Sequence, residues 1–188
     1  MSDAELIQAW RTGHAWAVTR LVERWRQPLY GYLLRFTGQP ADAEDLFQDT
    51  WVRLLAALPR YEERQQFKSL LFTVATRLAI DHARARGRWR GLHEEEGPVP
   101  LEERAGAGLE SCPEWVLAGR QRTELLRQAI EQLPDAQRSV VLLRLEAGMS
   151  FQEIAEAQGA PLGTVLPRMH RAVKNIRRYF KERGHEQA

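Results

Sequence analysis

Eight glycines and prolines fall between residues 87 and 113 (Gly87, Gly91, Gly97, Pro98, Pro100, Gly106, Gly108 and Pro113), and they break every hydrophobic period that crosses them. On either side, apolar residues recur at three- and four-residue intervals. No segment alternates apolar and polar residues as a half-buried strand does. The chain therefore reads as all-α: two small helical domains, residues 1–90 and 113–188, joined by a flexible acidic linker over residues 91–112. At 188 residues it is long enough for one or two small cores.

Breakers and periods predict the individual helices. In the first half they run over Asp3–Thr12, His14–Arg26, Pro28–Phe36, Asp42–Leu58 and Phe67–Arg86. Gly38-Gln39-Pro40 is a turn, Pro59 ends the fourth helix, and Arg60–Gln66 is a polar loop. The second half predicts helices over Glu114–Gln132, Asp135–Glu146 and from Phe151, with Pro134 and Gly148 between them.

The formal net charge of +2 hides a strong segregation. Residues 60–93 carry eight basic and three acidic side chains, a net +5, and residues 162–188 carry seven and two, also +5. Between them, residues 94–135 carry ten acidic side chains against four arginines, a net −6. Two basic patches separated by an acidic stretch suggest two contacts with a nucleic-acid backbone. A single cysteine, Cys112, excludes an internal disulfide and a multi-thiolate zinc site. No apolar run approaches the roughly 20 residues of a membrane span, and the acidic N-terminus is unlike a signal peptide, so a cytoplasmic protein is expected.

Residues 150–180 carry the sharpest local pattern. Ser150 and Glu153 form an S-x-x-E capping box, Met149 can staple onto Ile154, and Gly159 can end that short helix in the left-handed conformation. Then Val165, Met169, Ala172, Ile176 and Phe180 make one apolar stripe, with Thr164, Arg168, Arg171, Lys174 and Arg178 on the other face. This is the layout of a helix-turn-helix whose second helix enters a DNA major groove. The bland alternative is a helical hairpin with a solvated basic face.

The helix Asp42–Leu58 carries a second signal. Ala43, Leu46, Phe47, Thr50, Trp51, Leu54, Leu55 and Leu58 form a wide apolar face, and Asp45, Gln48, Asp49 and Arg53 project from the other side. Carboxylates at i and i+4 could hold a metal or share acid–base work, but no histidine is spaced to join them and Asp42 reads as the helix N-cap. An acidic face is poor for DNA, so a basic protein partner is the better functional reading.

These residues resemble the extracytoplasmic-function (ECF) sigma factors of bacterial RNA polymerase. Asp42–Trp51 (DAEDLFQDTW) is similar to that family's region 2.2, and Phe67–Arg86 (FKSLLFTVATRLAIDHARAR) to region 2.4. Leu133–Arg144 (LPDAQRSVVLLR) and Ser150–Ala172 are similar to regions 4.1 and 4.2. The resemblance implies a polymerase specificity subunit with no catalytic residues, metal or cofactor. Its partners would be core polymerase, promoter DNA and an anti-sigma factor. Asp45, Gln48, Asp49 and Arg53 would dock on a coiled coil of the largest polymerase subunit. The loop Tyr61–Gln66, with Arg64, Gln65 and Gln66, would receive a base flipped from the −10 element. Phe67, Lys68, Arg77, Arg84 and Arg86 would hold the adjacent strand. Thr164, Leu166, Arg168, Arg171, Lys174 and Arg178 would read the −35 element.

Several positions depart from the family: Arg77 for asparagine, Leu70 for tryptophan, Gln158 for leucine, and Leu166-Pro167 for lysine-serine. Pro167 predicts either a recognition helix that starts late, with Thr164 as N-cap, or a kink at that point. Two other classes of function stand beside this one. A sigma-factor mimic would sequester an anti-sigma factor without promoter binding, and a small helical enzyme would use Asp45 and Asp49. The basic residues of both halves favour the promoter-binding reading, and the enzyme lacks a nucleophile–base pair.

Overall fold

The computed structural model describes residues 1–61, 67–87, 89 and 120–183. Helices α1 (Asp3–Arg11), α2 (Trp16–Thr37), α3 (Pro40–Ala57) and α4 (Phe67–Ala85) make the first half, with a 3-10 turn at Leu58–Arg60. The second half holds α5 (Arg120–Glu131), α6 (Asp135–Leu145), α7 (Phe151–Gln158) and α8 (Leu162–Glu182). No strand occurs among the described residues. The predicted linker, residues 91–112, lies outside them.

Local signals set several boundaries. Ser2 caps α1 through a reciprocal box with Glu5, and Ser150 caps α7 the same way with Glu153, as its spacing predicts. Gly38 and Gly159 end α2 and α7 at φ +71° and +60°, which a side chain would resist.

Prolines behave differently from the sequence expectation. The two helices predicted on either side of Arg26–Pro28 are a single helix, with Pro28 in its interior. Interior proline costs about 3 kcal/mol or more. Leu21 before it and Leu29, Tyr32, Leu33 and Phe36 after it share one buried stripe, and each such side chain is worth about 1.5–3 kcal/mol when buried. Continuity of the stripe wins. The recognition helix likewise starts at Leu162, so Thr164 is not its cap: the Pro161 carbonyl accepts from the Thr164 and Val165 amides at 2.8 and 3.2 Å. Pro167 lies inside α8, whose buried Val165, Met169, Ala172, Ile176 and Phe180 hold both sides of it on one surface. Gly163, four residues before Pro167, leaves open space where a side chain would stand.

Asp42 is a third departure. Pro40 occupies the first turn of α3, so Asp42 falls inside the helix, 6% exposed, where it pairs with Arg86 at 2.6 Å and lies 3.3 Å from His82. It ties α3 to the end of α4 instead of capping its own helix.

The buried residues of both halves form one continuous cluster, with α4 against α7 and α2 against α6. Tyr32 of α2 shares a 2.9 Å hydrogen bond with Thr76 of α4 and meets Ser139 of α6. Its burial pushes the phenol up to about 12. Arg138 of α6 donates to the Phe36 carbonyl of α2 at 3.0 Å. The same guanidinium reaches the carbonyls of Ile130, Glu131 and Leu133 at the end of α5. One side chain thus satisfies terminal carbonyls of two helices.

Arg35 of α2 and Glu146 after α6 form an ion pair across the same junction. Burial raises the Glu146 carboxyl above its ordinary range, more than Arg35 lowers it. A raised carboxyl favours the folded state below the unfolded value and loses that advantage as pH rises through the folded one. The protein is therefore expected to lose stability relative to Glu146→Gln as pH rises from the acid side of the carboxylate range to neutrality. Urea midpoints measured across that range test this, and midpoints that stay parallel contradict it.

Candidate docking face and nucleic-acid interface

Helix α3 separates its two faces as its periodicity predicts. Leu46, Thr50, Trp51 and Leu54 are buried, and Asp45, Gln48, Asp49 and Arg53 are exposed. Val52 stands 66% exposed on the same outward face, one turn beyond Gln48 and Asp49. The sequence reading passed over it, although an apolar residue in an outward register was itself the signal. Among the described residues no group of His, Cys, Asp or Glu side chains could hold a metal ion.

The predicted −10 residues divide. Arg64, Gln65 and Gln66 lie outside the described residues. Tyr61 is half-buried, and Arg11 of α1 donates to the Leu58 carbonyl at 2.9 Å and to the Tyr61 carbonyl, fixing the turn that leads to that loop. Phe67 is corrected: at 2% exposure its ring belongs to the core, 6.4 Å from that of Trp25, and is not available to a base. Its position opens the apolar stripe that Leu71, Ala75 and Leu78 continue, which is why it turns inward.

Arg77 and Arg84 are exposed along α4, and Arg86 is exposed just past its end. Arg77 donates to the Glu156 carbonyl of α7 at 3.3 Å, Arg84 lies 3.4 Å from Asp81, and Arg86 pairs with Asp42. Lys68 and Ser69 face the Glu153 carboxylate of α7. Burial opposes ionisation of Glu153, but bonds from the Ser150 amide and hydroxyl, with Ser69 and Lys68, outweigh it and hold the carboxyl below its ordinary range. The basic helix of the first half thus rests against the first helix of the helix-turn-helix.

In α8, Thr164, Leu166 and Arg171 are half-exposed, and Lys174 and Arg178 are exposed. Arg168 is corrected. It is 1% exposed, and its Nη1 donates to Gln158 Oε1 at 2.9 Å. Its place three residues after Val165 and four before Ala172 puts it at the edge of the buried stripe, a signal its charge obscured. His170, half-exposed one turn beyond Leu166, joins the outward face in its stead.

A capped first helix, a left-handed turn at Gly159 and a second helix with a basic outward face make this a DNA-binding protein of the helix-turn-helix class. Residues 21–89 match the family model for Sigma-70 region 2, and residues 123–176 match that for Sigma-70, region 4. The chain belongs to the ECF group of the sigma-70 family, whose members are regulatory subunits of RNA polymerase and not enzymes by themselves. It is 32% identical over 170 residues to the ECF RNA polymerase sigma factor SigE of Mycolicibacterium smegmatis, covering 89% of this chain and 63% of the relative. It is 26% identical to the ECF sigma factor SigW of Bacillus subtilis, covering 94% and 95%. To the RNA polymerase sigma-H factor of Pseudomonas aeruginosa it is 28% identical, covering 93% and 91%. Two solved structures share the fold. CnrH in complex with the cytosolic domain of CnrY has a TM-score of 0.64 at 22% identity, covering 96% and 97% of the two chains. The sigma factor RpoE with the anti-sigma factor NepR from Bartonella quintana has a TM-score of 0.60 at 20% identity, covering 87% and 96%. No described helix is long and apolar enough to cross a membrane.

Proposed function

We propose that this chain joins core RNA polymerase through the outward face of α3 and directs initiation at promoters by contacting their −10 and −35 elements. The observation that carries the reading is the pairing of that acidic face with a capped helix-turn-helix in one chain. Asp45, Gln48, Asp49 and Arg53 meet the polymerase, with Val52 as an apolar contact at the middle of the patch. Residues 1–90 form the domain that melts the −10 element, where Arg77 and Arg84 hold backbone beside the loop that captures an unpaired base. Residues 113–188 read the −35 element, and residues 91–112 join the two domains. The site of action is the cytoplasm, where polymerase meets DNA, and an anti-sigma factor is the partner that would hold the protein inactive.

Gel filtration of the protein with core polymerase tests the first step: the two should co-elute, and separate peaks at micromolar concentration contradict it. Leu166 and Pro167 put an apolar pair where the resemblance leads one to expect a cation and a hydroxyl. Leu166→Lys with Pro167→Ser should therefore change −35 affinity by about tenfold or more through a new phosphate or base contact. Titration of labelled −35 duplexes reads that change, and unaltered binding would remove Leu166 and Pro167 from the interface.

A further inference from the structure

Arg168 is the largest fully buried side chain among the described residues. Its partner Gln158 is the last residue of α7, and Arg168 itself lies in the second turn of α8, so the 2.9 Å bond between them closes the elbow of the helix-turn-helix. Burying a guanidinium is costly and persists only where acceptors meet it. Gln158, which replaces a leucine of the family pattern, supplies an acceptor that an apolar side chain could not. The two positions make sense together. A base reader must instead bring its guanidinium to the edge of a guanine in the groove, which a side chain 1% exposed and turned across the elbow does not do.

We infer that Arg168 is a positioning residue: its bond to Gln158 sets the angle at which α8 meets the −35 element, and the outward side chains Leu166, His170, Arg171 and Lys174 read it. The inference rests on the promoter reading of α8 given above. A positioning residue acts on every −35 sequence alike, whereas a base reader acts on one base pair.

Holoenzymes formed with Gln158→Leu, Arg168→Met or both are titrated with −35 duplexes carrying each single-base change. Each single variant is expected to lower affinity by about tenfold, by the same factor for every duplex, because both break one contact. The double variant should lose no more than either single one, since residues acting as a unit are not additive. Core binding should be unchanged throughout. Replacing both partners with apolar groups removes the buried amide and the buried cation together, so the double variant keeps the comparison available if Arg168→Met alone unfolds. Loss of preference at one base pair in Arg168→Met, with Gln158→Leu binding as the unaltered protein does, overturns the inference. So does a double variant whose loss is the product of the two single ones. A holoenzyme of the unaltered protein with no −35 preference at all would instead overturn the promoter reading, and this inference with it.

Discussion

Reversing Asp45 and Asp49 together to lysine is expected to weaken core-polymerase binding by more than about a hundredfold, because each reversal at a charged interface costs on the order of 1–3 kcal/mol. Both carboxylates are exposed on the side of α3 opposite Leu46, Trp51 and Leu54, so the fold does not depend on them. Circular dichroism should be unchanged, and binding of the double reversal should fall less with added salt than that of the unaltered protein, because salt screens the attraction that only the latter keeps. Val52→Ala on the same face should cost a smaller amount, about 1 kcal/mol, and should be insensitive to salt. Undiminished pull-down by the double reversal would mean that this face is not the dock.

Arg138→Ala is expected to be the most destabilising single substitution at the junction of the halves, by about 3 kcal/mol. The loss leaves four carbonyl acceptors, those of Phe36, Ile130, Glu131 and Leu133, without this donor, and takes away a cation 3.2 Å from Asp135. Because the Phe36 carbonyl belongs to α2 and the others follow α5, the change should also loosen the packing of α2 on α6. Urea unfolding measures the first effect and amide exchange at the end of α2 the second. A loss below about 1 kcal/mol would show that the junction's stability does not depend on Arg138.

What the sequence made legible was local. The Ser150–Glu153 box, the turn at Gly159 and the two faces of α3 each depend on residues within a few turns of one another, and each stands in the structure where the spacing put it. Several departures involve partners on other helices. Asp42 is held by Arg86, Arg168 by Gln158, and Arg77 meets the carbonyl of Glu156 in the other half of the chain. Pro28 and Pro167 carry a strong local penalty, yet each lies within a helix whose buried stripe continues past it. Local rules register the penalty and not the stripe's packing against helices elsewhere in the chain. The ordered set of motifs was specific enough to indicate the family, but burial decided which basic side chains could face DNA.

The central claim, promoter-directed initiation, is tested most directly by transcription. Core polymerase with and without the protein is incubated with fragmented genomic DNA from the source organism, and the 5′ ends of the transcripts are sequenced. The protein should create start sites that share one pair of upstream motifs at −10 and −35 spacing. Those sites should vanish with core polymerase alone and with the Asp45, Asp49 double reversal. Transcript ends that match those of core polymerase alone, from a mixture in which the protein co-elutes with core, would contradict the account.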